Sequence, residues 1–286
     1  MLSGANPCDR VDFVTVQLLV DRGTDRLSVQ YYDRPEAGDL LVIVPAMGVP
    51  ARYYGRFAEA LCDAGRAVAV ADLRGTGAST PPAGRESGYG YADLADDLGA
   101  VLETVAEHRT GRRTFLLGHS LGGQICLMHL ARSGRDDVDG LVLVASGMPH
   151  WRAYGSQGWQ AHLLRTMVQA GSGILGYWPG WGFGGRQSAG VMRDWAHTSW
   201  TGEFPPALEV TGRLADITLP TLVLTVDGDT FTPPAVVEKL TSTLTSASIR
   251  REHLTTEAAG APLDHLRWAK AAEPVTKIVL DWAATV

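Results

Sequence analysis

The sequence predicts an α/β domain: a mostly parallel central sheet flanked by helices, with one inserted segment. Three observations lead there. Short, wholly apolar runs recur along the chain without the alternation of a half-exposed strand, as expected for strands covered on both faces. Helical spacing separates them, which is the pattern of βαβ units. That rhythm fails once, over residues 148–212, and then resumes.

Taken in order, residues 12–20 and 27–32 read as two strands, and the turn-forming Asp21 to Asp25 between them makes a hairpin. Residues 40–44 are a buried strand ended by Pro45. Residues 54–64 carry helical spacing and stop at Gly65. A second buried strand covers 67–71, followed by a Gly/Pro-rich loop over 74–90. The stripe of Leu94, Leu98, Val101, Leu102 and Val105 predicts a helix over 91–108. Strand 114–117, helix 121–131 and strand 140–145 come next. After the interruption, strand 220–226, helix 234–244, strand 249–254 and a last helix over 266–283 complete the core. The domain division is therefore 1–147 with 213–286 as the core, and 148–212 as a cap insertion. Helices over 159–170 and 188–197 are expected within the cap. It also holds six of the eight tryptophans and the Gly-rich run 171–185.

A chain of 286 residues can bury a large core. Its 45% hydrophobic and 20% charged residues fit a globular protein. The net charge of −6 leans against nucleic acid or an anionic membrane surface as a partner. Cys8, Cys62 and Cys126 form no disulfide framework, and no CxxC or His/Cys cluster points to a metal. No metal and no cofactor are expected. The first residues lack a basic start with an apolar run, and no stretch approaches about 18 apolar residues. A cytoplasmic protein with no membrane span is the expectation; a homo-oligomer is left open.

The strongest local signal is Gly118-His-Ser-Leu-Gly-Gly123. G-x-S-x-G is weak alone, but here it follows an apolar strand and opens a helix. That sharp turn presents the Ser120 hydroxyl as a nucleophile, with small residues at Gly118 and Gly122 allowing close backbone approach. The first turn of the new helix has spare donors, so the Leu121 amide can face an oxyanion. An activated serine needs a base, and the base an orienting acid. Asp229 follows strand 220–226, with Asp227 its close competitor; either could instead close an Asx turn. His265 lies in a loop before the last helix, and His253, in a strand, is the reserve base. The order Ser, Asp, His suits this architecture. Asp264 could cap the terminal helix. His119 is read as facing packed structure. The loop Pro45 to Pro50 could supply a second oxyanion donor from Met47, or from Ala46 as the fallback.

These features together, with the segment Asp72-Leu-Arg-Gly-Thr-Gly-Ala-Ser79, resemble the α/β-hydrolase fold superfamily along nearly the whole chain outside the insertion. Within it, the text PAMGVPARYYGRFAEAL, DLRGTGAS and GHSLGGQ resembles a bacterial subgroup of predicted serine hydrolases. The resemblance implies the triad but names no substrate. One departure is Pro45-Ala46 where the superfamily often starts the oxyanion loop with His-Gly, which puts the loop register in question. Haloalkane dehalogenases resemble this fold with Asp at the nucleophile position, and dienelactone-type hydrolases with Cys; this chain has Ser120.

The expected chemistry is cleavage of an ester-type bond in a small, aromatic or lipophilic substrate through an acyl-enzyme. Thioesterase, lactonase and acyltransferase chemistry on the same triad, or a non-catalytic binding protein of this fold, are the alternatives. The cap's tryptophans offer rigid apolar surface to a substrate, or simply form the cap's own core.

Overall fold

The computed structural model describes residues 13–34, 36–134 and 138–286. The expected strand start at residue 12 and the Cys8 thiol lie outside them. The N-terminal hairpin is β1 (Val14–Arg22) and β2 (Asp25–Asp33), paired antiparallel with Val20 opposite Leu27. The core strands are β3 (Leu40–Val44), β4 (Ala67–Ala71), β5 (Thr114–His119) and β6 (Gly140–Val144). Between β3 and β4 lies α1 (Gly55–Asp63); α2 (Tyr91–Thr104) and the short α3 (Ala106–Arg109) lead to β5, and α4 (Leu121–Ser133) follows it. After β6 come α5 (Gly158–Leu175), a two-residue ladder of β7 (Tyr177–Trp178) with β8 (Gln187–Ser188), and α6 (Ala189–Thr201). The chain ends with β9 (Thr221–Val226), α7 (Pro234–Thr241), β10 (Ile249–Leu254), α8 (Thr256–Ala259) and α9 (Ala272–Ala283).

The eight-stranded sheet has the order β1-β2-β4-β3-β5-β6-β9-β10, and every pair from β4 to β10 is parallel. β3 to β6 are buried along their whole length, which explains their unbroken apolar text. Successive residues go to opposite layers. Leu40, Val42 and Val44 join the core under α2 and α4, whereas Leu41 and Ile43 join the one that holds Phe57, Trp268 and Trp282. Because these strands run the same way, the segments after β3, β5 and β9 all leave the sheet at one edge.

The last helix departs from the sequence expectation. Residues 267–270 form a separate 3-10 turn, and α9 begins at Ala272. Pro274 lacks an N–H and its ring clashes with a helical carbonyl four residues back, so a helix can contain it only in the first turn.

A buried ionic cluster ties the loop after β4 to α2. Arg74 donates to Asp97 and, at 2.6 Å, to Asp25, and Arg22 reaches the same Asp97 carboxylate at 2.8 Å. The Asp72 carboxylate accepts from the amides of Ala51 and Ala78, joining that loop to the turn after β3. Removing Asp97 takes a carboxylate from both Arg22 and Arg74 and leaves Arg74, whose side chain is 11% exposed, with Asp25 as its remaining partner. Asp97→Ala is expected to lower unfolding free energy by about 1.5–3 kcal/mol in urea titrations, the range of hydrogen bonds to charged groups; a loss below about 1 kcal/mol, the range of an exposed pair, would show that the cluster is not energetically buried.

Candidate active site

Ser120 sits between β5 and α4 with φ 53° and ψ −116°, a conformation that L-residues rarely adopt. The turn leaves no room for side chains at its flanks: a Cβ on Gly122 would lie 1.9 Å from the Val44 carbonyl oxygen, and one on Gly118 2.3 Å from the Gly123 Cα. The Ser120 amide donates to the Val144 carbonyl, and the Ser120 carbonyl accepts from Gly123 N and, at 2.8 Å, from Ser146 Oγ. The hydroxyl itself makes no capping bond to the helix. The backbone is tied down and the Oγ is turned out.

The structure brings Ser120, His265 and Asp229 together. His265 Nε2 is 2.9 Å from Ser120 Oγ, and its Nδ1 lies 2.9 and 3.0 Å from the two Asp229 oxygens. A carboxylate only accepts, so the imidazole proton sits on Nδ1 and Nε2 faces the hydroxyl as an acceptor. Asp229 also closes an Asx turn, accepting from the amides of Phe231 and Thr232 and from the Thr232 hydroxyl. The Asx turn and the bond to histidine therefore fall on one residue, not on two. Burial of Asp229 pushes its pKa up, yet the His265 contact and the Thr232 donors outweigh it and hold the carboxyl below its usual range.

The two reserve residues are paired with each other instead. His253 Nε2 lies 2.9 Å from Asp227 Oδ1, and Asp227 also accepts from the Thr256 amide. Both side chains are solvent-exposed, at 50% and 40%. Asp264 caps the 3-10 turn, accepting from Leu266 N and Arg267 N, and so acts just ahead of α9.

His119 is fully buried and does more than pack. Its Nε2 is 2.9 Å from the His265 carbonyl, its Nδ1 is 2.7 Å from the Tyr54 hydroxyl, and that hydroxyl receives the Ala46 amide at 3.0 Å. The carbonyl can only accept, so Nε2 carries the proton and Nδ1 must accept from Tyr54. Burial pushes the His119 pKa well below its usual value, with the neighbouring His265 adding to the shift, and holds the ring neutral. Tyr54 was not among the sequence candidates. Its one legible sign was an aromatic pair, Tyr53-Tyr54, at the start of a helix.

This chain of bonds also bears on the loop after β3. The Ala46 amide is committed to Tyr54, whereas the Met47 and Leu121 amides have no partner among the described residues. Both residues line the cavity that holds Ser120. That cavity measures about 800 Å³. Phe231 lies 5.1 Å from the His265 ring, and Tyr154 fastens residues after β6 to this loop through the Phe231 carbonyl. Of the tryptophans between β6 and β9, Trp195 lines the cavity and Trp178 is core, while Trp159, Trp181 and Trp200 are exposed. The Gly-rich run packs its backbone against the loop after β3, where a Cβ on Gly48 would meet the Gly184 carbonyl oxygen at 2.3 Å. Among the described residues, none that lines the cavity is Asp, Glu, Lys or Arg. Among the described residues no group of three or more His, Cys, Asp or Glu is placed to hold a metal ion.

Comparison with known proteins agrees with this architecture. The family model described as serine aminopeptidase, S33, matches residues 35–194. The putative carbamate hydrolase RutD of Variovorax paradoxus is 30% identical over 247 residues, covering 79% of this chain and 89% of that protein. An AB hydrolase superfamily protein, YisY of Bacillus subtilis, is 38% identical over 78 residues, covering 27% of this chain and 26% of its own. A soluble variant of monoglyceride lipase from Saccharomyces cerevisiae shares the fold with a TM-score of 0.72 at 15% identity, over 98% of both chains.

Two outcomes follow from this geometry. Ser120→Gly removes a strained side-chain conformation and is expected to raise unfolding free energy by about 1–3 kcal/mol; a destabilised variant would mean that the turn is not strained. His119 is held neutral in the fold but ionises near pH 6.5 when unfolded. Its contribution is complete above that pH and is lost as the pH falls through the window below it. Wild-type stability is therefore expected to drop toward pH 5 by about 1.4 kcal/mol per pH unit for this group. His129, half-buried and with its pKa lowered by burial, adds to the slope. Denaturant titrations of His119→Gln should show a shallower slope, and an unchanged one would remove His119 from the account.

Proposed function

We propose that this chain, which belongs to the hydrolase family described as serine aminopeptidase, S33, is a serine hydrolase that cleaves an uncharged ester-type substrate through an acyl-enzyme. The observation that carries the reading is the unbroken relay from Asp229 through His265 to Ser120 Oγ, opening into a cavity without charged side chains. In the proposed reaction, Ser120 Oγ attacks the acyl carbon and its proton passes to His265 Nε2. The amides of Leu121 and Met47 hold the oxyanion, two donors that need no reorganisation as charge develops. Asp229 stabilises the imidazolium. When the tetrahedral adduct collapses, the C–O bond to the leaving group breaks and His265 returns the proton to that alcohol. A water then repeats the sequence on the acyl-enzyme, releasing the acid and Ser120. Residues 148–212 act as a cap that contributes Tyr154, Leu164, Phe183 and Trp195 to an apolar acyl pocket.

The same cavity bears on what is bound. A peptide's terminal ammonium would need a carboxylate, and a free acid would need Arg or Lys; burying either ion unpaired is costly. Peptides are therefore disfavoured, despite the description attached to the family model. A second reading is supported by the relative named as a carbamate hydrolase, since a neutral carbamate carbonyl would meet the same nucleophile. A thioester or lactone, or an acceptor other than water, would use the same groups.

The test combines a fluorophosphonate probe with a panel of neutral and charged p-nitrophenyl esters, carbamates, thioesters, lactones and amides. Labelling of the wild type is expected to disappear in Ser120→Ala and His265→Ala. Asp229→Asn should cost around 10⁴-fold in turnover, with little change in Asp227→Asn. Neutral esters should exceed charged analogues by about tenfold or more in kcat/KM. A folded wild type that neither labels nor turns over any substrate would reduce the protein to a binding module.

A further inference from the structure

The cavity around Ser120 is not walled alike on all sides. Leu121, Gln124, Trp195 and Ser199 line one part of it and are buried. Two apolar residues from the core loops line it while standing in solvent, Phe231 at 48% and Leu266 at 37% exposure. Both adjoin the base: Leu266 follows His265 in the chain, and the Phe231 ring centroid is 5.1 Å from the imidazole. Phe231 is also fixed at both of its backbone polar groups. Its amide donates to Asp229 Oδ1 at 2.8 Å, and its carbonyl accepts from the Tyr154 hydroxyl at 2.9 Å. The ring stacks on Phe183 at 6.3 Å with 28° between the planes, and Phe183 meets Trp195 at 4.7 Å. An aromatic row therefore runs from His265 along the cavity wall to its closed part. A half-exposed ring whose backbone is tied down on both sides is a ready platform, since little freedom is left to lose when a ligand settles on it.

We propose that Phe231 is the leaving-group determinant of this site: an aromatic alcohol is held against its ring at the mouth of the cavity, and the acyl part lies on the Trp195 side. This rests on the serine-hydrolase reading and assigns the two halves of its substrate. The direction follows from the path of the proton. His265 Nε2, 2.9 Å from Ser120 Oγ, hands the serine proton to the departing oxygen as the C–O bond breaks, so that oxygen leaves the tetrahedral carbon on the imidazole side. The oxyanion turns instead to the Leu121 and Met47 amides. The substituent on the departing oxygen thus meets Phe231 and Leu266 first, and the acyl substituent is left with the closed part. The difference in exposure suits the same division. Alcohol must depart and water must enter beside His265, while the acyl group stays bound to Ser120. A flat aromatic group gains more here than an aliphatic one, because offset ring contacts add to the burial of area. If Phe231 served only to shield the His265–Asp229 pair, its loss would slow every substrate in both half-reactions. A leaving-group contact ends once the acyl-enzyme has formed.

Phenyl, cyclohexyl and methyl esters of one short acid separate these roles, each variant being compared with the wild type on the same ester so that intrinsic reactivity cancels. Phe231→Ala is expected to lower kcat/KM about tenfold for the phenyl ester, about threefold for the cyclohexyl and less than about twofold for the methyl. Stopped-flow measurement should give one deacylation constant for wild type and variant, because all three esters form the same acyl-enzyme. Phe231→Leu, which keeps apolar area without the ring, should hold the cyclohexyl rate and lose about threefold on the phenyl ester. Trp195→Phe should alter the preference among longer acids and leave the phenyl-to-methyl ratio unchanged. Far-UV circular dichroism checks the fold of each variant. Equal losses on all three esters, or a slowed deacylation, overturn the proposal and make Phe231 a support for His265. So does a phenyl-to-methyl ratio that follows Trp195 instead of Phe231. A loss on the cyclohexyl ester as large as that on the phenyl ester overturns the aromatic assignment. A wild type that turns over none of the esters and takes no fluorophosphonate label ends the hydrolase reading and this assignment with it. One that turns over esters, with an unchanged ratio in Phe231→Ala, ends this assignment alone.

Discussion

His119 is packed on all sides, and both of its ring nitrogens meet groups whose hydrogen-bonding direction leaves no choice. The His265 carbonyl can only accept, so the proton sits on Nε2; Nδ1 then takes the Tyr54 proton, and the Tyr54 oxygen takes the Ala46 amide. One buried imidazole thus connects three segments that are far apart in sequence: the loop after β3, the elbow after β5 and the stretch before α9. The low affinity of the buried ring for a second proton matters here. A charged His119 would have to reverse its bond to Tyr54, and with it the arrangement of the loop that carries Met47.

The remaining geometry follows from parallel strands ending at a common edge. β3, β5 and β9 deliver their loops to the same side of the sheet, and Gly122 against Val44 sets how closely the first two can approach. Asp229 is held there by its own turn. Phe231 and Thr232 donate to it from below in sequence while His265 reaches it from across the site, so orientation of the carboxylate does not depend on the histidine alone. Asp227, two residues nearer the strand, points to the exposed pair with His253 and ties β9 to the start of α8.

The stretch between β6 and β9 carries two chemistries on neighbouring surfaces. Inward, it offers the cavity apolar and neutral polar groups without a formal charge, which matches an uncharged substrate. Outward, it carries tryptophans, aliphatic side chains and arginines without a carboxylate before Asp194. The tryptophan excess divides accordingly: Trp178 packs inside and Trp195 meets the cavity, but Trp159, Trp181 and Trp200 face out. Composition registered the excess; its division depends on which side of α5 or α6 each residue occupies.

Much of the fold was legible in the chain, because buried parallel strands leave apolar runs and α/β rhythm leaves helical stripes between them. Ser120 was legible as well, since a strand, a glycine-bracketed turn and a helix are local signals. Pro274 should have shortened the last helix on the same local grounds. The choice between Asp227 and Asp229, and between His253 and His265, was not local. The two aspartates follow the same strand and the two histidines both lie late in the chain, and only the meeting of loops distant in sequence puts one pair against Ser120 and the other in solvent. Tyr54 and the second role of His119 were hidden for the same reason, as a hydrogen bond between residues 65 or 146 positions apart leaves no spacing to read. The turn that holds Ser120 belongs to the sequence; the partners that face it belong to tertiary contact.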